Sequence, residues 1–521
     1  MKLKKIATIL LSAMLSIGVL TGCSNNSSNS SADKKELVYG TGVYATTGSL
    51  DPAEANYNGW FTLRYGAGET LFKVNDDGTI SPWLVEEYKN TDDTTWELKI
   101  KDGIKFSNGK QVTAKEVKAS LDRILDKEEI SAGKALSVDS IDAEGQKLTI
   151  KTSKPNPALP NQLCDPDLVI LDVDSEDMKT KPVGTGPFII ESFNEKQCVV
   201  NKNENYWDGD VKLDKVTIDY ISDNDTLSAS LQSGDIDIAG GLSFTNLQKF
   251  EKDSNYEVDT NSTTRCYMFY YNFKNELLNN KNIRKAIDMC IDKKSYVSSL
   301  LQGSGEVAKG PFPTTMDIGK DVKDNGYDVE EAKKLLKEAG CKDTDNDGIL
   351  EKDGKKLSFD IITYSSRAEL SDISTALQDK LKEVGIEIKD INIYEAVEDQ
   401  LASGDFDICA YSWTTAPIGD PYYFLGYNYI SDGDCNYGKY KNEEVDKLVK
   451  ELAVEFNQDK RAELSNKIVQ IGNDDVAFSY VAHLTKGYAM KSNVSGFRQT
   501  SSDYYELNLS LIHIWRCRRI E

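Results

Sequence analysis

Between Leu227 and Gly240 the chain reads LSASLQSGDIDIAG, and between Val397 and Ala410 it reads VEDQLASGDFDICA. In both stretches a helical pattern ends at a Ser-Gly pair, and a short strand of the form Asp-x-Asp-Ile follows. Gly234 and Gly404 stand where a helix closes on a left-handed residue. Ile236 and Ile238, like Phe406 and Ile408, alternate as strand residues do. Two copies of one helix-to-strand unit, 170 positions apart, predict two α/β lobes built alike. The separation is far too long for a solenoid repeat. Val216 to Ile221 and Cys266 to Tyr271 read as buried strands. Lys281 to Cys290 and Val329 to Ala339 read as helices, the second closed by Gly340. Ile373, Leu377, Leu381 and Val384 recur at helical spacing up to Gly385, after which Ile386 to Ile388 starts a strand.

A different texture fills TWELKIKDGIKFSNGKQVTAKEV, from Thr95 to Val117. An alternating strand, an Asp102-Gly103 turn, a second short strand and an Asn108-Gly109 turn lead into a helix near Thr113. Thr113 and Glu116 have the spacing of a capping box.

The N-terminus follows neither pattern. Lys2, Lys4 and Lys5 precede an uncharged, mostly apolar run of 15 residues, Ile6 to Leu20. A membrane-spanning helix needs about 20, so the run suits the core of a signal peptide. Leu20-Thr-Gly-Cys23 resembles the lipobox of bacterial lipoproteins, which implies a lipidated Cys23 at the mature N-terminus. Asn25 to Ser31 then reads as a flexible tether. The last twelve residues, SLIHIWRCRRIE, break from the acidic chain before them and resemble a translated vector end.

With 521 residues the chain can hold two or three domains. Its net charge of −23 argues against nucleic acid and against an electrostatic grip on anionic lipid. Of nine cysteines, Cys23 is the expected anchor and Cys517 lies in the tail. The other seven are scattered singly, with no C-x-x-C pair, and read as small core residues.

Several motifs occur together, in order, between Leu37 and about Leu509. They are LDPA (Leu50–Ala53), SPWL (Ser81–Leu84) with WELKI and DGIKFSNGKQVTAKEV, VGTGPF (Val183–Phe188), NENYWDG (Asn203–Gly209), SGDIDI, IRKAIDMCID (Ile283–Asp292) and SWTTAPIGDPYYFL (Ser412–Leu425). Together they resemble the signature of the peptide/nickel class, family 5, of ABC-importer substrate-binding proteins. The resemblance implies an α/β, two-lobed clamshell like the periplasmic binding proteins, with mixed sheets and an additional third domain. The expected parts are a signal peptide (1–22), the lipidated cysteine and tether (23–35), lobe I (36–75, 183–282 and 488–509), an extra domain (76–182), a second lobe (283–487) and the tail (510–521). It also implies a monomeric lipoprotein, held to the membrane through its lipid alone. Such a protein works on the extracytoplasmic face, binds no nucleic acid, needs no cofactor or resident metal, and hands its cargo to an ABC permease and its ATPase.

The expected cargo is short peptides, with a nickel–chelate complex as the alternative. The ligand-contact candidates are Trp413, Asp420, Arg64, Tyr411, Trp60, Tyr44 and Asp165. In peptide-binding members an aspartate three residues after this tryptophan pairs with the ligand amine. Here that position is Ala416, and Asp420 is the nearest acid, standing in an Asp-Pro turn. Arg64 is the one charge in the run Tyr57 to Gly68 and needs a partner, either a ligand carboxylate or a structural acid such as Glu69. Asp165 and Asp167 are amine-binding candidates or plain turn residues. Asp343 to Gly348, DTDNDG, starts like a calcium loop but has Gly354 where an EF-hand needs its bidentate glutamate, so it reads as a solvated acidic turn.

Enzyme readings have little to stand on. His483 is the one histidine outside the tail, no serine elbow is near it, and GIKFSNGK misses the P-loop spacing by one residue. A secreted hydrolase is the remote alternative.

Overall fold

The computed structural model describes residues 35–502, 504–507 and 512–513. The expected signal peptide, Cys23 and the tether up to Lys34 lie outside them. Of the tail, Ile512 and His513 alone are described, paired with Val494 and Ser495.

Strand β1 (Glu36–Thr41) leads to helix α1 (Asn58–Arg64). Four strands then form a separate antiparallel sheet: β2 (Val85–Asp92), β3 (Thr95–Ile100), β4 (Val138–Glu144) and β5 (Lys147–Thr152), in the order β2-β3-β5-β4. Helix α2 (Ala114–Leu125) packs on this sheet and is opened by the capping box that its sequence announces.

The chain returns to the main sheet through β6 (Phe188–Phe193), β7 (Gln197–Lys202) and β8 (Lys215–Tyr220). Helix α3 (Asn224–Ser233) and β9 (Ile238–Gly240) are the first repeat unit. Then comes β10 (Tyr256–Tyr271), the longest strand described, ten residues of which precede the stretch that reads as a strand from sequence. Beyond it, α4 (Lys281–Met289), β11 (Gly305–Val307), α5 (Val329–Glu338), β12 (Ser358–Tyr364), α6 (Ala368–Glu383) and β13 (Glu387–Tyr394) follow. The second repeat unit is α7 (Glu398–Ser403) with β14 (Ile408–Thr414). Helices α8 (Tyr422–Asn428), α9 (Glu443–Leu452) and α10 (Gln458–Asp475) precede the last long strand, β15 (Phe478–Lys491).

The main sheet is mixed, ordered β13-β12-β14-β10-β15-β9-β1-β8-β7-β6, with β11 on β15. Parallel triplets stand on each side: β9-β1-β8 in one half and β14-β12-β13 in the other. The antiparallel pair β10 and β15 joins them, and its register slips between Ser262 and Cys266. Past that slip the cores change. Tyr267, Phe269 and Tyr271 pack with α4, α5 and α6, whereas Leu37, Tyr39, Tyr488 and Met490 share a core with β7 and β8. The fold is therefore an α/β clamshell of two halves with an extra domain.

The repeat units match in their ties as well as their shape. Gly234 and Gly404 have φ of 89° and 77° and close their helices. The carboxylate of Asp237 accepts the amide of Val38 on the neighbouring strand at 2.9 Å, and Asp407 accepts that of Asp360 at 3.0 Å. Each acid thus fastens its strand to the next parallel one, which explains why the Asp-x-Asp-Ile pattern recurs. Six of the seven scattered cysteines are buried and free, and Cys435 is half-buried.

Candidate ligand-binding cleft

The loop after β14 closes on the extra domain. Asn161 donates to the Ile418 carbonyl at 3.0 Å, and Ile418 belongs to the extra domain's core. Gly419 approaches Gly78 so closely that a Cβ would lie 2.1 Å from its carbonyl oxygen. Behind this contact a cavity of about 50 Å³ remains between the halves, lined by hydroxyls from Thr263, Thr264 and Thr414 and by Arg265 and Lys486.

The slip in β10 aims Arg265 at this space. Its Nη1 is 3.3 Å from Ser412 Oγ, and it has no ion pair among the described residues. Burial and the neighbouring Arg367 both press its guanidinium below the usual value. Arg367 stands at the N-cap of α6, where the helix dipole is positive and a cation is disfavoured. It too has no ion pair among the described residues, and Glu369, in the same first turn, accepts from Tyr267 at 3.3 Å. Lys486 comes from β15. Burial pushes it down to about 7, with Arg64, Arg265 and Arg367 adding to the effect and Glu506 opposing it. Beside the arginines runs an aromatic wall of Tyr364, Tyr411 and Trp413, with ring centroids 5.5 and 5.9 Å apart. The buried indole Nε1 of Trp413 finds no acceptor among the described residues. The site is a cationic, hydroxyl-lined slot with Tyr504 in its wall, suited to carboxylates.

Trp413 and Tyr411 are thus brought together near Arg265, and neither is among the residues that line the cavity itself. Asp420 is elsewhere in its role: it is 2% exposed, paired with the buried Arg461, and accepts the Tyr422 amide at 2.9 Å. It caps its own turn and offers a ligand nothing. Tyr44 is buried in the first half's core, stacked on Tyr220 and donating to the Asn194 carbonyl at 2.7 Å, so it does not line the cleft. Arg64 is buried in an ion pair with Glu506, which Tyr39 and Tyr488 also bind, and its guanidinium lies 5.4 Å from the Trp60 ring. It reaches the slot through its field on Lys486.

Glu69 is therefore not the partner of Arg64. It accepts from Thr185 at 2.8 Å, Tyr206 at 2.7 Å and Trp207 at 2.8 Å, joining VGTGPF to NENYWDG. Burial pushes its carboxyl up to about 7 against those hydrogen bonds. Folded Glu69 therefore holds a proton that an unfolded glutamate gives up near its ordinary value. Its contribution to stability is full below about 4.5 and is lost as pH rises to about 7. Glu69→Gln is expected to flatten the fall of melting temperature between pH 4.5 and 7; an unchanged slope would show that Glu69 ionises freely in the fold.

Asp167 caps the start of α1, accepting the amides of Tyr57 at 2.8 Å and Gly59 at 3.0 Å. Asp165 accepts the Asp167 amide at 3.0 Å and has no cation beside it among the described residues. Its field reaches the phenols of Tyr423 and Tyr504, the second of which lines the slot. Burial raises it to about 6. Asp343, Asp345 and Asp347 form an exposed cluster, and Lys356 pairs with Asp345 at 2.9 Å and with Asp347. His483 is buried, and burial lowers it to about 4, so it is neutral.

Sequence reading missed Arg265, Arg367 and Lys486. The signal was present: Arg265 is the one cation of its long strand, Lys486 stands in the middle of another, and Arg367 opens a helix with the wrong charge.

A sequence profile of bacterial extracellular solute-binding proteins, family 5, matches residues 79–435. The nickel-binding protein NikA of Staphylococcus aureus is 34% identical, over 97% of this chain and 98% of its own length. The oligopeptide-binding protein AppA of Bacillus subtilis is 30% identical, over 96% and 97%. Among solved structures, a nickel ABC transporter protein of Bacillus halodurans superposes with a TM-score of 0.84 at 32% identity, covering 92% of this chain and all of the other. With its two-halved sheet, extra domain and charged cleft, the chain belongs to family 5 of the bacterial extracellular solute-binding proteins, the peptide/nickel class that serves ABC importers.

Proposed function

We propose that this protein captures a small carboxylate-bearing solute between its halves, a nickel–amino-acid chelate before a peptide, and delivers it to a membrane permease without converting it. The observation that carries this reading is the Arg265–Arg367 pair. Two guanidiniums press on one another beside a helix N-terminus, with no ion-pair partner among the described residues. A ligand carboxylate would relieve that repulsion and gain charge-assisted hydrogen bonds. The Trp413 indole N–H and the threonine hydroxyls would complete its coordination. Nickel here is cargo. His483 is buried in the core, so the metal would arrive with its ligands already supplied by the chelator. The two nickel-protein relatives support the order of preference.

Arg265 and Lys486 sit on the two strands that cross between the halves, at the register slip. A carboxylate bridging them would draw the halves together, which is hinge closure in the sense other two-lobed binders use it. We place the working protein outside the membrane as a monomer tethered by a lipid on Cys23. Fractionation of Cys23→Ala tests the tether, which fails if the variant is processed and retained normally.

The second reading, a short peptide, is favoured by Asp165. A carboxylate facing Tyr423 and Tyr504 without a cation could take the amine that Ala416 and the occupied Asp420 leave unserved. Titration calorimetry separates the two. Nickel with free histidine should bind saturably, nickel alone should not, and di- to pentapeptides should give no heat. Heat from peptides without metal selects the second reading. Heat from neither sinks both.

A further inference from the structure

At the far end of β10 from Arg265, on the outer pole of the second half, lies a second concavity of about 590 Å³. Tyr271 lies six residue steps along the strand from Arg265, roughly 20 Å of extended chain, and Phe273 at the floor lies beyond that. The two sites are therefore distinct.

Its walls are cationic in a chain of net charge −23. Arg284 is 3% exposed, and its guanidinium lies 4.1 Å from the Phe273 ring. Its donors go to backbone carbonyls alone: Val476 at 2.9 Å, Leu278 at 2.8 Å and Asp475 at 2.5 Å. Burial pushes it down to about 10. Around it stand Lys274, Lys281, Lys439 and Lys441. The single acid in the wall, Asp475, is already served by Lys281 at 3.1 Å, Tyr440 at 2.9 Å and Asn442 at 2.8 Å. Lys274, Lys439 and Lys441 have no ion pair among the described residues. The turn that presents the last two is rigidly built. Asn436, 1% exposed, donates to the carbonyls of Ile430 at 3.0 Å and Tyr440 at 2.8 Å, and accepts the Tyr440 amide at 2.9 Å. Lys439 is held there at φ 62°, a left-handed conformation that its side chain disfavours. An ordinary solvated turn would place Gly or Asn at that position.

We propose that this pole is a binding site for a phosphate-bearing anion, with Lys274, Lys439 and Lys441 as its point-charge donors over the Phe273–Tyr440 floor. Three unpaired lysines match a group of two or more negative charges better than a single carboxylate, because each contributes a charge and no fixed fork geometry. The phosphate could belong to a soluble ester or to a lipid headgroup of the membrane beside which the protein would work, and the test separates them.

Titrate the full chain with inorganic pyrophosphate at 20 and 150 mM salt, and sediment it with vesicles of phosphatidylglycerol and of phosphatidylcholine. The variants are Lys441→Ala and Lys439→Asn, the latter chosen because asparagine tolerates the left-handed turn. Saturable pyrophosphate binding, weakened at least tenfold in the double variant with nickel–histidine binding unchanged, supports a soluble phosphate site. Sedimentation with the anionic vesicles alone, lost in the same variant, supports the headgroup. Binding that the double variant retains, or no binding to either probe at 20 mM salt, overturns the proposal.

Discussion

Replacing Arg265 and Arg367 together by glutamine is expected to weaken ligand binding by about 100-fold or more while leaving the empty protein at least as stable. A hydrogen bond to a charged group contributes about 1.5–3 kcal/mol. Losing one from each arginine therefore removes roughly 3–6 kcal/mol of binding, and each 1.4 kcal/mol is about tenfold in affinity. The stability half of the expectation has the opposite sign from an ordinary structural arginine. Each guanidinium raises the energy of the other, and Arg367 also opposes the dipole of α6. With no ligand these charges are a burden on the fold, so removing them should hold or raise the melting temperature. Calorimetry with nickel and histidine reads the first effect and thermal unfolding of the empty protein reads the second. A variant that binds normally would remove Arg265 and Arg367 from the site. One that binds poorly and also melts early would show that the arginines hold structure.

The parts of the fold that the sequence disclosed are those decided by local pattern. Helices α5 and α6 carry their apolar residues at helical spacing and fold where that spacing places them. The two repeat units are legible because each needs a left-handed glycine and an acid aimed at its neighbour's amide. Strand β10 was half legible for the same reason. Its last six residues, CYMFYY, are buried on both faces, while the ten before them, YEVDTNSTTR, are mostly polar, and Thr263 to Arg265 among them line the cleft. A strand whose half-buried positions carry polar side chains on both faces loses the alternation by which strands are read.

Partners distant in sequence were not legible. Arg64 announced that it needed an acid, but Glu506 was found only by folding: the same carboxylate binds Tyr39 from 467 positions away. Glu69, five residues from Arg64, is turned instead toward Thr185, Tyr206 and Trp207. The motifs do not point to the cleft arginines. Arg265 and Arg367 stand in none, and what marks them is a charge where the local structure opposes one.

The second large expectation concerns Asp420, the residue that proximity to Trp413 recommended as an amine anchor. Arg461→Ala should destabilise the protein by about 3–5 kcal/mol, because removing one partner of a buried pair strands the other. Both side chains are almost fully buried, and Arg461 also donates to the carbonyls of Leu452 at 2.7 Å and Glu455 at 3.0 Å, tying the loop after α9 to the cleft wall. Asp420→Asn keeps the shape and the bond to the Tyr422 amide but leaves the guanidinium without its counter-charge, so it should lose stability in the same direction. Replacing both by apolar residues of similar size should recover much of the loss, since a buried ion pair contributes little net stability against a well-packed apolar pair. Urea unfolding of the three variants measures this. The structural role and the ligand role then diverge on one observable. If Asp420 were an amine anchor, Asp420→Asn would bind peptides poorly at unchanged midpoint. If it holds the wall behind Trp413, the midpoint falls, and any loss of binding tracks the fraction unfolded and disappears when the variant is assayed well below its transition.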